Sequence, residues 1–442
     1  SVTYQYFRYI SKMFPEINFE VSNISQQIKS IEKNREKFNN ILSSIKSSDA
    51  ILWITPVYHF TIPGQLKRFI EMIFENNCTD FFEDKYSTLL TTSIHFYDHM
   101  AENYIHGVSE DMGMKYIKGF LAHMNYLEKK ENRKAFTDFF ADFKRKVEHK
   151  ISVNPSYSKI KSTTWDFNPV NVEEHSKSKK HRILAITDIK DQNSNIAKML
   201  ETYQKSCPND IETINLNELS IKSGCLGCCA CGGNNECTIK DDLIDIYKEK
   251  MKSADGIIYF SEIQDRYLSS NFKIFFDRSF VNGHAPVYMG KQVQYILSGQ
   301  FSQIANLREE IKARAEVSQM NLVDIISDEV ADNEKLTKML KDSAENMIYA
   351  IEHNLKPQSA FYETAGHKIF RDFVFGSKAI FSADHRFYKK IKFYDFPNQN
   401  YIKQIFVNLL YFVLKIKKIR KKLNEKMKYG MIMKLKKIVD SL

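Results

Sequence analysis

Apolar residues along this chain come either in short unbroken runs or at helical spacing, and the two patterns alternate. Ala50 to Ile54 is a run of five apolar residues behind the polar pair Ser48–Asp49, as in a strand buried on both faces of a parallel sheet. Thr55–Pro56 ends it, because Pro56 cannot donate to a ladder and keeps Thr55 from turning helical. A loop with Tyr58 and Phe60 follows, and Pro63 opens a helix with Leu66, Phe69, Ile70 and Ile73 on one side. Strand, short loop, helix is the half-unit of a doubly wound α/β fold, whose ligands bind where such loops leave the strand ends.

The unit occurs twice. Residues 253–278 align on it without a gap at a constant offset of 206, Asp255 standing for Asp49, Ser261 for Thr55, Asn271 for Gln65, Lys273 for Lys67, Phe275 for Phe69 and Asp277 for Glu71. A repeat of about 200 residues means duplicated domains and not a solenoid. Around the first copy the pattern predicts a helix at the start, a strand over INFEVS, a polar helix to about Ser48, a strand in KYSTLLTTSIHFYDH, another in MKYIKGFLAHM and a helix over 129–149. Around the second it predicts a strand at HRILAITD, one between Gly290 and Gly299, a helix, a strand at NLVDIIS and a helix to about His353.

Hydrophobic residues make up 43% and aromatic residues 13% of the 442, which suits ordered domains with ample core. There is no 18-residue apolar run and no signal-peptide pattern, so the expectation is a cytoplasmic protein. The net charge of +10 is uneven: residues 413–442 hold eleven Lys/Arg against two acidic residues, leaving about +1 for the rest. The domains are therefore near neutral and give no sign of nucleic-acid binding. Five of the seven cysteines fall within 225–237, which reads as metal or cluster binding in a reducing compartment, not as a disulfide framework.

TPVYHFTIPGQLKRFIE resembles the segment of NAD(P)H-dependent FMN reductases, flavodoxin-like proteins, that wraps the flavin ring. The resemblance covers roughly residues 1–350, twice over, and implies two tandem flavodoxin-like parallel sheets. It implies FMN in the first, with Pro56, Val57, Tyr58, His59 and Phe60 along the ring and Thr92, Ser93 and His95 in the second contacting loop. His95 and His99 are read either as acids near neutral pH or as hydrogen-bonded loop residues. In the family the chain opens with a strand and a phosphate loop; Ser1, Val2 and Thr3 look like that loop's end, so the first sheet is expected to lack its N-terminal strand.

In the second copy the phosphate loop reads DIKDQNSN. Asp188 and Asp191 stand where the family has Gly and Arg, and Pro56-Val57-Tyr58 becomes Glu262-Ile263-Gln264. Carboxylates repel a phosphate, so this copy is expected to have lost FMN. It carries instead Cys225, Cys228, Cys231 and Cys237, spaced C-x2-C-x2-C-x5-C, with Cys229 extra. Three thiolates at x2 spacing can converge on an inorganic cluster while Gly232–Gly233 brings back the fourth. The spacing resembles that of iron–sulfur flavoproteins, implying a [4Fe–4S] cluster; related reductases carry such cysteines without one.

The expected organisation is an FMN-binding domain over 1–149, a linker over 150–180, a four-cysteine domain over 181–354 and an extension over 355–442. Tyr388, Phe393, Tyr394 and Phe396 either line the flavin pocket or form core. Ile405, Leu409, Phe412, Ile416, Ile419, Leu423 and Met427 make a helical stripe among lysines, suited to an anionic membrane through 401–442 or to packing on its own domain. The function expected is NAD(P)H-dependent or ferredoxin-linked electron transfer, with a nicotinamide nucleotide, ferredoxin or quinone as partner and a homo-oligomer as an option. The alternatives are a cluster-free NAD(P)H:FMN or quinone reductase, and a non-catalytic electron carrier or redox-sensing module.

Overall fold

The computed structural model describes residues 2–162, 164–172, 174–396, 401–413, 415–416 and 418–419. Ser1–Phe387 form one compact unit and Tyr388–Leu442 a second.

The first unit holds two parallel sheets. Lobe 1 runs α1 (Val2–Met13), α2 (Ile24–Lys33), α3 (Arg35–Ser47), β1 (Ala50–Pro56), α4 (Gly64–Glu75), β2 (Tyr86–Ser93), α5 (Asp98–Asp111), β3 (Lys115–Tyr116), β4 (Phe120–His123) and α6 (Lys130–Glu148). Its β2 pairs with β1 on one side and with β3 and β4 on the other. Lobe 2 runs β5 (Ser178–Thr187), α7 (Asn195–Ser206), β6 (Asn209–Asn215), α8 (Asp242–Asp245), β7 (Gly256–Glu262), α9 (Ser270–Ser279), β8 (Gln292–Ser298), α10 (Ala305–Val317), β9 (Asn321–Ser327) and α11 (Asn333–Glu352). Its order is β6-β5-β7-β8-β9, the flavodoxin-like doubly wound arrangement. Register repeats with the sequence: Ala50 pairs with Tyr86 in lobe 1, and Gly256 with Gln292 in lobe 2.

Three expected elements come out differently. INFEVS is irregular, not a strand. Its counterpart β6 pairs only with β5, and lobe 1 has no strand beyond β1 among the described residues to offer that partner. A strand without a ladder leaves its amides and carbonyls unpaired. For the same reason β1 is only partly covered, whereas β7 is buried along all but its last residue. Beside the open edge of β1 lies a groove of about 1680 Å³, lined there by Ile51, Trp53, Phe7, Phe19 and Ile28. The polar helix before Ser48 is two helices, broken where Asn34 caps the amide of Lys37. MKYIKGFLAHM forms two short strands separated at Gly119, where a Cβ would sit 2.8 Å from Leu89 O.

The stretch expected as a linker is irregular yet anchored. Glu110 accepts from the amides of Ser156 and Tyr157 at 2.9 and 2.7 Å, and Phe167 is buried in the core of lobe 2. Beyond α11, α12 (Phe361–Gly376) packs on α10, and α13 (Ser382–Lys390) begins in the first unit. In the second unit Tyr388 packs on Phe393 and Tyr394, and Tyr394 stacks on Phe396. There α14 (Tyr401–Val413) carries Ile405 and Leu409 exposed, while the side chain of Phe412 and residues Leu423 and Met427 lie outside the described residues. Among the described residues no helix is long and apolar enough to cross a membrane.

The lobes meet through α4 and α9 about a local two-fold. Lys67 Nζ donates to Gln264 O at 3.0 Å, and Lys273 Nζ to Tyr58 O at 2.9 Å. Glu71 accepts from the amide and hydroxyl of Ser270 at 2.5 Å each, while Asp277 accepts from the amide of Gly64 at 2.8 Å. Each lysine also pairs with the acid one turn on. All four side chains are 3% exposed or less. Gly64 has no room for a side chain, since a Cβ would lie 2.6 Å from Ile274 Cγ1. Removing one member of a buried, hydrogen-bonded pair costs about 3–5 kcal/mol. Glu71→Ala should therefore lower stability by roughly that amount, against about 1 kcal/mol or less for Glu75→Ala, which breaks a half-exposed pair with Arg68. Urea unfolding of the two variants checks this; equal shifts of the midpoint would refute it.

Candidate functional site

The loop after β1 is built so that neighbouring side chains point opposite ways. Tyr58 and Thr61 form an isolated bridge, and between them His59 and Phe60 take φ of 40° and 82°. Left-handed backbone is costly for such side chains and persists only where packing enforces it. Gln264 and Tyr267 make the same bridge in lobe 2, with Asp265 and Arg266 at 47° and 63°. Phe60 is driven against Tyr97 and under the Arg314 guanidinium of α10. Arg266 is driven against α5, where it grips Asp111 with two bonds of 2.6 and 2.7 Å. Burial and the neighbouring Arg314 and Lys273 hold the His59 imidazole well below its ordinary pKa, so it is neutral and Nδ1 accepts from Arg314. His59 and Phe60 thus serve the lobe interface and do not line the groove.

Tyr58 does line it, with Pro56 and Thr3, while Val57 packs on the core. Burial, then Cys225, pushes the Tyr58 phenol up, so it stays a donor. Its hydroxyl occupies the space over Gly227, where a Cβ would meet it at 2.1 Å and φ is +62°. Nearby, Gln65 donates to Cys225 O at 3.0 Å, so the loop of lobe 1 and the cysteine run of lobe 2 form one wall. The remaining expected residues gather at the strand ends. Thr3 and Thr92 share a 2.6 Å hydroxyl contact, Ser93 Oγ donates to Asp98 at 3.1 Å and accepts from the His95 amide, and His95 Nδ1 lies 2.7 Å from Asp98. Ser1 lies outside the described residues.

The geometry fits an FMN in lobe 1. The first turn of α1 carries no acidic residue, so its amide end beside Thr3 can receive a phosphate. Trp53 Nε1 and Gln65 Oε1 are buried without a partner among the described residues, and both residues line the groove. The loop of lobe 2 does not fit. Ser194 Oγ already accepts from the amide of Ala197, Asp191 closes on the amide of Asn193, and Asp188 stands beside Glu262. Burial raises Asp188 to about 7.

The four expected cluster ligands do not assemble. Cys228 is exposed and Cys225, Cys231 and Cys237 are half-buried. Among the described residues no three His, Cys, Asp or Glu side chains are gathered to hold a metal. Cys231 Sγ is 3.1 Å from His284 Nε2, and His284 Nδ1 is 2.8 Å from Asp384 Oδ2. Nothing in the spacing of the run points to His284 or Asp384, which arrive from distant parts of the chain. Gln65 was foreshadowed only by its repeat partner Asn271, and Arg314 by nothing.

The family model of NADPH-dependent FMN reductase matches residues 1–127 and 181–335. The chain belongs to this family and is an oxidoreductase of the NAD(P)H-dependent FMN reductase type. Among solved structures it is similar to an NAD(P)H:quinone oxidoreductase from Methanothermobacter marburgensis, at 14% identity over 39% of this chain and 98% of that one, TM-score 0.31. It is also similar to an FMN-dependent NADH-azoreductase from Bacillus anthracis, at 15% identity over 39% and 98%, TM-score 0.30. A third is the Trp repressor binding protein from Bacillus subtilis, at 17% identity over 40% and 99%, TM-score 0.26. Comparison with curated proteins gives no match.

A raised carboxyl binds its proton more tightly folded than unfolded, so it withdraws stability as pH climbs from its unfolded value towards its folded one. For Asp188 that window runs from about pH 4 to about 7. Asp188→Asn should leave the melting temperature nearly unchanged at pH 4 and raise it at pH 8. A shift of equal size at both pH values would refute the assignment.

Proposed function

We propose that lobe 1 alone binds FMN and that the chain uses it to carry electrons from NAD(P)H to a quinone-like acceptor. The observation that carries this is the asymmetry of two loops on one scaffold. In lobe 1 an acid-free helix end, the Thr3–Thr92 hydroxyl pair and Tyr58 surround an open groove. In lobe 2 Asp188, Asp191 and a self-capping Ser194 stand in the corresponding place. When bound, FMN supplies a centre that takes a hydride and releases electrons singly or in pairs.

The protein's part is placement. Thr3 and the amides of α1 would hold the phosphate, and Pro56 and Tyr58 would wall the ring. Trp53 Nε1 and Gln65 Oε1 offer the hydrogen bonds they do not make within the chain. Arg314, bonded to His59, fixes the loop from the far side and keeps Tyr58 turned inward. Reconstitution should give about one flavin per chain, and Tyr58→Ala should weaken FMN about tenfold or more by removing a wall and a donor. A ratio near two would overturn the assignment to lobe 1. Steady-state oxidation of NADPH with a soluble quinone separates an enzyme from a carrier, which would exchange electrons without turnover.

A [4Fe–4S] cluster on Cys225, Cys228, Cys231 and Cys237 is supported by their spacing alone, since the placed thiols do not converge. Four irons and four acid-labile sulfides per chain after anaerobic purification would reinstate it.

The tail suits an anionic membrane surface. The thirteen residues of α14 span about 20 Å, short of the roughly 30 Å of a bilayer core. Its exposed apolar residues, Ile402 at 83% and Phe406 at 67% among them, suit an in-plane helix. Each following lysine near such a surface contributes on the order of 1 kcal/mol at low salt. The full chain should float with anionic vesicles at low salt, and a chain ending at residue 400 should not; identical behaviour would favour a tail packed on protein.

A further inference from the structure

The cysteine run meets a buried histidine–carboxylate pair, His284 and Asp384, that neither the flavin site nor the cluster reading employs. His284 and Asp384 are fully buried and bonded to each other, and the other imidazole nitrogen faces Cys231 Sγ at 3.1 Å. With Asp384 ionised, its oxygen accepts from Nδ1–H, which leaves Nε2 as an acceptor for the Cys231 thiol. Phe280 lies edge-on to the imidazole at 4.4 Å and Phe381 packs tilted against it at 5.8 Å, so aromatic contacts hold the ring as well. Thiol, base and orienting carboxylate in hydrogen-bonded series is the arrangement that activates a sulfur nucleophile. Three residues before Cys231 stands Cys228, exposed to solvent, so the two form a C-x-x-C pair with an outer and an inner sulfur.

The geometry points to a thiol–disulfide exchange site at Cys228 and Cys231, with His284 as the base, Asp384 as its positioning residue and a small, low-molecular-weight disulfide as substrate. Cys228 attacks one sulfur of the disulfide, forming a mixed disulfide and releasing the first thiol, which takes up the Cys228 proton. Cys231 then gives its proton to His284 Nε2 and attacks Cys228 Sγ. The bond from Cys228 to the substrate sulfur breaks, and the second thiol leaves with the proton held by His284. Two protein thiols are oxidised to one disulfide, and one substrate disulfide is reduced to two thiols.

Oxidised glutathione added to the reduced full-length chain, followed by mass mapping over time, tests this. The expected product is a Cys228–Cys231 disulfide with two glutathiones released. Cys231→Ser should trap one glutathione on Cys228, and Cys228→Ser should leave Cys231 unmodified on the same timescale. General-base assistance contributes about a hundredfold or more, so His284→Gln should slow closure of the disulfide by about that factor without slowing capture by Cys228. Asp384→Asn should slow it less, and Asp384→Glu should restore part of the rate. A role confined to packing would instead alter both steps together or unfold the chain, and melting curves of each variant detect the latter. Closure in His284→Gln at the wild-type rate would overturn the proposal. So would a disulfide linking other cysteines of the run, or four irons per chain bound to it.

Discussion

The structure depends on two buried ion pairs that each lobe lends to the other. A lysine and an acid one turn apart on α4 reach the loop and helix start of lobe 2, and their counterparts on α9 return the contact. Neither pair could be buried alone, because charges removed from water need both a partner and further hydrogen bonds. What completes them is backbone from the opposite lobe: the carbonyls of Tyr58 and Gln264, and the amides of Gly64 and Ser270. The arrangement works only when both lobes are in register, so it specifies how they dock as well as holding them.

This constraint also shapes the groove. The carbonyl of Tyr58 is held by Lys273, so the backbone of the loop is fixed while its side chains diverge. Phe60 goes to α10 and the ring of Tyr58 goes to the groove, against the cysteine run. The left-handed backbone at His59 and Phe60 is the local strain that this division requires, and the interface supplies the packing that maintains it. The two lobes share this machinery but differ in what they place at the loops. Lobe 1 offers hydroxyls and a helix end, lobe 2 carboxylates and thiols.

Much of the fold was legible in the residues. The unbroken runs at Ala50–Ile54 and Gly256–Phe260 mark parallel strands, since such strands read as apolar without alternation; β7 is buried as that reading expects, while β1 is partly open. Their gapless alignment carried into the structure down to the pairing register. The lysines and acids of the repeat were visible as matched positions, yet nothing local distinguishes a buried pair from the common surface pair at the same spacing. INFEVS shows the limit of pattern: a strand-like sequence becomes a strand only if a neighbouring strand accepts its hydrogen bonds.

The sequence by itself determined the architecture, the resemblance to flavin reductases and the asymmetry between the two phosphate loops, because these rest on periodicity, turn chemistry and charge, which are local. Only the tertiary structure decided which loop side chains enter the groove, since neighbours in sequence point to opposite sides of a strained turn. It also decided what surrounds the cysteines. C-x2-C-x2-C-x5-C spacing states how close thiols can come, but not what else will approach them. His284 comes to Cys231 from the segment after α9 and Asp384 from α13 near the end of the first unit, long-range contacts that no spacing rule within the run could encode.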